Sequence, residues 1–157
     1  MTIPLGTIVR DKVTGFVGVA ENRATFLYGC DRYFIQPQIK EDGSIPDGAM
    51  IDEPQLEPVE DKEPVMEAMG DPEQLVELGQ VVKDPVKDVE GTVTGRAVYL
   101  NGCSRVFVEP KFSAKTKELA SYWVDEQQVE PLRKRTKVVE KTEGKPPGGP
   151  ARSSSKY

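Results

Sequence analysis

The chain has 157 residues, 37% of them apolar and 30% charged, with two cysteines and no histidine. The absence of histidine excludes Ser-His-Asp and Cys-His nucleophilic catalysis and histidine zinc sites, and two cysteines are too few for a disulfide scaffold or a four-cysteine metal site within one chain. No apolar run approaches the roughly 18 residues of a membrane span, and Met1-Thr2-Ile3-Pro4 has neither the basic region nor the apolar core of a signal peptide.

From Leu5 onward the chain is written twice. Leu5-Gly6-Thr7-Ile8-Val9-Arg10-Asp11 matches Leu78-Gly79-Gln80-Val81-Val82-Lys83-Asp84, and Asn22 to Arg32 matches Gly95 to Arg105. Asp52-Glu53-Pro54-Gln55-Leu56-Glu57-Pro58 matches Asp125-Glu126-Gln127-Gln128-Val129-Glu130-Pro131, always at an offset of 73 and without gaps. The expected organisation is a first copy over 5–58, an acidic linker over 59–77, a second copy over 78–131 and a basic tail over 132–157. A unit of 54 residues buries only about 60% of its unfolded surface, so the two copies are expected to pack together or against a partner.

Within each copy, the run ending at Asp11 or Asp84 reads as a strand. Gly18 and Gly91 are kept in both copies, which predicts a bend or a close backbone approach. The next strand runs from 19 to 27 and from 92 to 100, with a β-bulge expected where Asn22 matches Gly95. Asn101-Gly102 between apolar runs predicts a type I′ hairpin, with Tyr28-Gly29 in the same place of copy one. The returning strands, rich in Tyr, Phe, Val and Ile, end at Pro37 and Pro110. The loop over 38–50 has its counterpart in 111–123, where Ala114 to Ala120 reads as a short helical turn before a strand from Ser121 to Val124. In the linker, Pro64 to Met69 and Asp71 to Glu77 read as short helical turns, the second opening on an Asp-Pro pair.

The net charge of −5 is unevenly spread. The first copy has five basic and nine acidic residues, the linker one and seven, the second copy seven and eight, and the tail eight and two. Arg133-Lys134-Arg135-Thr136-Lys137 is followed by a Gly/Pro/Ser stretch that cannot bury enough apolar surface to offset its ordering entropy, so the tail is expected to be disordered or held on an acidic partner.

No Walker A sequence or dinucleotide fingerprint is present. The pairs Asp52-Glu53 and Asp125-Glu126 read as solvated turn residues, because neighbours on a strand point to opposite faces. Arg23, Arg32, Arg96 and Arg105 are kept in both copies, as are the acids Asp11 and Asp84. The arginines read as cross-strand ion pairs or as a repeated pocket for a phosphate or carboxylate, and with Arg133, Lys134, Arg135 and Lys137 they are the candidate binding residues. Cys30 and Cys103 fall at matching positions. They read as reduced, half-buried thiols beside a turn, or as a disulfide between copies or subunits if geometry allows.

The order strand, glycine turn, long bulged strand, tight turn, strand, loop, strand and short closing turn resembles an SH3-like small barrel. Met50-Ile51-Asp52-Glu53-Pro54-Gln55-Leu56-Glu57-Pro58-Val59 is similar to the SH3 finish, and Val9-Arg10-Asp11 through Gly18-Val19 resembles a KOW element. Copy one lacks the Trp of an SH3 peptide site and copy two has only Trp123. Arg10 to Phe16, Tyr28-Gly29-Cys30 and Asp52 to Glu57 also resemble short phage and prophage proteins in which one such unit is the whole chain. The expected fold is therefore all-β, two tandem SH3-like barrels from an internal duplication. The expected role is a non-enzymatic structural or auxiliary virion protein of capsid, neck or tail. Its partners would be other virion subunits or copies of itself, in the virion or in the host cytoplasm during infection. No cofactor, metal or membrane is expected, and nucleic acid is the lesser partner. The alternative is a soluble phage-encoded binder of a nucleotide ligand or nucleic acid that interferes with a host system through the repeated arginines.

Overall fold

The structure is a computed structural model that describes residues 2–132. The elements recur at the spacing of the sequence repeat. The first half contains β1 (Ile8–Asp11), β2 (Val17–Phe26), β3 (Arg32–Gln36), β4 (Ala49–Asp52), a 3₁₀ turn (Glu53–Gln55) and β5 (Leu56–Pro58). The second contains β6 (Val81–Asp84), β7 (Val89–Tyr99), β8 (Ser104–Pro110), β9 (Tyr122–Asp125), a 3₁₀ turn (Glu126–Gln128) and β10 (Glu130–Pro131). All pairings are antiparallel.

The cores repeat as strictly as the strands. Ile3, Val9, Ala20, Tyr33, Ile35, Ile51 and Leu56 form one buried cluster, and Val76, Val82, Val93, Val106, Val108, Val124 and Val129 form the other. Each residue of the first lies 73 positions before its counterpart in the second. Ala20 with Tyr33 fills the space that Val93 with Val106 fills, a small-large exchange that keeps the packed volume. The first core residue of each half, Ile3 or Val76, lies two positions upstream of the sequence match.

The chain is all-β and its two copies pack together, as expected, but the tandem barrels are not closed. No ladder joins β4 to β5 or β9 to β10, so the sheet stays open. Instead β2 pairs with β7, and all ten strands form one sheet. In that ladder Asn22 faces Tyr99, Arg23 faces Val98, Ala24 faces Ala97, Thr25 faces Arg96 and Phe26 faces Gly95. Each pair exchanges the two halves, so a pseudo-two-fold axis passes between Ala24 and Ala97. The bonds from Leu27 N–H to the Thr94 carbonyl and from Leu100 N–H to the Glu21 carbonyl, both 2.9 Å, close its two ends symmetrically. A half with too little core to stand alone gains a shared strand pair.

Bulges interrupt the β2–β3 ladder between Ala20 and Asn22 and the β7–β8 ladder between Val93 and Gly95, where they were expected. Neither Asn22 nor Gly95 has positive φ. Glycine is required at 95 for space, because a Cβ there would lie 2.9 Å from the Phe26 ring. The close approach expected at the shared glycines is present: a Cβ on Gly18 or Gly91 would press on the carbonyl of Gln36 or Glu109.

The β7–β8 turn differs in type from the expectation. Gly102 has φ +86°, but Asn101 is not left-handed, which excludes type I′. Gly102 N–H bonds the Tyr99 carbonyl and Tyr99 N–H bonds the Cys103 carbonyl, both at 2.9 Å. This is a type I turn closed by a left-handed glycine bulge. Asn101 Oδ1 accepts from Cys103 N–H.

The linker contains no helix. It is irregular chain with a turn at 60–61 and bends at 65–66, tied to both halves by Val65 N–H bonding the Gly6 carbonyl and Met69 N–H bonding the Leu100 carbonyl. Tertiary partners for its amides, and burial of Val76, outweigh the helix-start signal of Asp71-Pro72. Among the described residues no helix is long and apolar enough to cross a membrane.

Candidate functional site

Directly paired residues on neighbouring strands share a face, and the register therefore builds rows across the sheet. The central row reads Asp52, Arg32, Ala24, Ala97, Arg105, Asp125 from β4 to β9. On one side runs Met50, Phe34, Asn22, Tyr99, and on the other Trp123, Phe107, Gly95, Phe26. The two flanking rows are the same positions of the two halves, exchanged by the pseudo-two-fold axis. All six of their aromatic and methionine side chains are partly exposed. Trp123 packs against Phe107 with centroids 5.0 Å apart and rings tilted by 47°, and meets Phe26 edge-on at 6.2 Å, an arrangement favoured by aromatic quadrupoles.

The central row holds two of the candidate arginines. Arg32 Nε donates to Asp52 Oδ1 at 2.8 Å. Arg105 Nε lies 3.3 Å from Asp125 Oδ1, within ion-pair distance but outside hydrogen-bond geometry, so this buried N–H has no acceptor. Both pairs are solvent-exposed enough to contribute little to stability.

Arg23 and Arg96 stand on the opposite face, because they alternate with Ala24 and Ala97 along their strands. The four arginines are thus split two and two and do not converge on one pocket. Arg96 is locked: its guanidinium lies 2.9 Å from Glu126 Oε1 and donates, at 3.4 Å each, to the carbonyls of Pro72 and Glu73 in the linker. Arg23 is held more loosely, 4.0 Å from Asp31.

Glu126 corrects the reading of the acidic pairs as solvated turn residues, since it is fully buried. It accepts from Ser104 Oγ at 2.6 Å and from the Leu75 and Val76 amides at 2.8 and 3.0 Å. Burial alone would push its carboxyl up. Arg96, Ser104 and the two amides outweigh burial and hold it below the ordinary carboxylate range. In the first half Tyr33 holds the corresponding arm: its hydroxyl accepts from Ile3 N–H at 3.0 Å and donates to the Ile3 carbonyl at 3.3 Å. The two halves therefore fix the same arm with different chemistry.

Asp11 and Asp84 do not pair with the arginines. Asp11 caps its own turn through Val13 N–H and Thr14 Oγ1. Asp84, fully buried, accepts from Tyr122 at 2.8 Å, Gln128 at 3.0 Å and the amides of Val86 and Lys87.

Cys30 and Cys103 are free and exposed rather than half-buried. They follow β2 and β7, which are antiparallel, so they leave the shared ladder at opposite ends and cannot bridge the two halves. Arg133, Lys134, Arg135 and Lys137 lie outside the described residues. Among the described residues no three metal-ligating side chains cluster.

The sequence reading found Arg32 and Arg105 but not the aromatic rows beside them. Row membership depends on the bulges at 21 and 94, each of which shifts the register by one residue. Comparison with protein-family models, with curated proteins and with solved structures gives no match.

Proposed function

We propose that this chain is a non-enzymatic phage protein, a structural or auxiliary component of the virion that works through protein–protein contacts, and that each half is an SH3-like unit. The observation that carries the reading is the two-fold face of Phe26, Phe34, Tyr99, Phe107 and Trp123 around Arg32 and Arg105. Aromatic residues, methionine and arginine are the types enriched at the centres of protein interfaces and among their energetic hot spots. A second apolar signal recurs in the loops, where Val13 and Val86 are 72% and 74% exposed at matching positions. The strand order β5-β1-β2-β3-β4 with a 3₁₀ turn before β5 supports the SH3-like comparison. The tail, with eight basic and two acidic residues, complements an acidic body and offers a second contact.

Arginine beside aromatic rings is also a surface for stacking nucleobases, which favours the reading as a binder of nucleic acid. Against it, Asp52 and Asp125 offset both arginines on that face, and an acidic body repels a phosphate backbone.

The experiment is a mass-spectrometric inventory of purified phage particles, made with the wild-type chain and with Trp123→Ala. The reading expects the wild-type chain in stoichiometric amount and the folded variant depleted. Absence of the wild-type chain from particles would contradict it.

A further inference from the structure

The two long loops occupy the same place in the two halves, 37–48 between β3 and β4 and 111–121 between β8 and β9. Strands β2 and β7 overlap only through their C-terminal parts, so their N-terminal ends point away from the shared ladder in opposite directions. The loops flank those ends, as the pairings Val19 with Gln36 and Gly91 with Pro110 show. They therefore mark opposite ends of the molecule.

Their chemistry is opposed. The first loop carries Lys40 against Glu41, Asp42 and Asp47, a net −2, and the second carries Lys111, Lys115 and Lys117 against Glu118, a net +2. Including the adjoining β1–β2 and β6–β7 turns leaves −1 at one end and +2 at the other. Glu41, Asp47, Lys111 and Lys117 are exposed and take part in no ion pair among the described residues. Each end also shows apolar side chains at matching places, with Ile39 64% exposed on one loop and Phe112 81% on the other.

We propose that this chain associates head to tail with a second copy of itself, the acidic end of one molecule seated on the lysine end of the next. Opposite charge orients the encounter and penalises like-end contacts. Burial of Ile39 and Ile45 against Phe112 and Leu119 supplies the apolar part. Such a contact is heterologous: each molecule keeps one free end, so the assembly grows into an open chain or closes as a ring. This goes beyond the reading above, since it uses neither the aromatic face nor particle incorporation, and either can fail alone.

The test is sedimentation velocity on the full chain over a range of concentrations, at ionic strengths of about 0.1 and 1 M, between which the Debye length falls from about 10 to 3 Å. Wild type is expected to gain mass with concentration at the lower salt and to return toward monomer at the higher. Two double variants reverse one end each, Glu41→Lys with Asp47→Lys and Lys111→Glu with Lys117→Glu. All four positions are exposed loop residues, and circular dichroism checks that the variants fold. Each alone is expected to remain monomeric, and an equimolar mixture is expected to regain association, because reversed ends complement each other. The proposal is overturned by a wild type that stays monomeric at every concentration, or by association that neither reversal reduces. It is equally overturned by association lost only when the acidic end is reversed, which assigns that end to the basic tail instead.

Discussion

Ala24 in β2 lies directly opposite Ala97 in β7, and the two are the same position of the two halves. This single contact fixes the molecule. It makes the shared ladder self-complementary, as the interface of a two-fold dimer is, although here both partners belong to one chain. It also places Arg32 and Arg105 symmetrically about the axis, with an aromatic row on each side.

The two halves hold their N-terminal arms differently, and the difference predicts unequal mutational costs. Glu126→Gln leaves Arg96 short of its buried counter-charge and should cost about 3 kcal/mol or more. Amide exchange at Leu75 and Val76 should rise with it. Glu53→Gln, in the matching place, loses only a 3.4 Å contact with the Tyr33 hydroxyl and should cost under about 1 kcal/mol. Chemical denaturation with hydrogen exchange on both variants checks the contrast, and equal costs would count against it.

Acid should unfold the second half through Asp84 and Glu126. Burial pushes the Asp84 carboxyl up, but Gln128, Tyr122 and the amides of Lys87 and Val86 outweigh burial and hold it below its ordinary value of 3.8. Glu126 likewise lies below its ordinary 4.5. A carboxyl depressed in the folded state contributes stability that is present above its unfolded value and lost as pH falls through the folded one. Unfolding free energy should thus decline as pH drops below 4.5, and the decline should be shallower in Asp84→Asn and Glu126→Gln. Denaturant titrations at a series of pH values test this, and unchanged slopes in both variants would contradict it.

Gly102→Ala should destabilise by about 1 kcal/mol, because alanine resists the left-handed backbone that the turn imposes. The added methyl would also touch the Met69 side chain at 3.4 Å. Equilibrium denaturation should show a lower midpoint with an unchanged slope.

Both thiols should react in the native chain. The β2–β7 ladder spans four residue steps of about 3.4 Å, and the cysteines lie beyond its opposite ends. That exceeds the roughly 7 Å that a disulfide tolerates between Cα atoms. Thiol titration without denaturant should count two per chain, and non-reducing gels after oxidation should show linked dimers rather than an internally bridged monomer.

Much of the strand plan was legible in the sequence because the repeat states every element twice. Proline at 37 and 110, the glycines at 18 and 91 and the Asn22/Gly95 position mark ends, close approaches and bulges by local chemistry. The pairing of β2 with β7 was not legible, because a strand pattern records which side is buried and not which edge it joins. The linker misled for a related reason. Asp71-Pro72 is a valid helix start taken locally, but Val76 is drawn into the second core and the Leu75 and Val76 amides go to Glu126. Glu126 itself looked like a surface acid, because nothing within a few residues announces Arg96 or Ser104. The aromatic face needed both the strand pairing and the two bulges, and no local signal carries either.

The measurement that bears most directly on this account is a nuclear Overhauser spectrum of the labelled 17.4 kDa chain. The bonds that pair Leu27 with Thr94 and Leu100 with Glu21 make Ala24 and Ala97 a non-hydrogen-bonded pair. In such pairs the Cα atoms approach to about 4.5 Å. A strong Hα–Hα cross-peak between Ala24 and Ala97 is the predicted result. Its absence, with Ala24 or Ala97 giving such a peak to another residue instead, would contradict the shared two-fold ladder and with it the symmetric face.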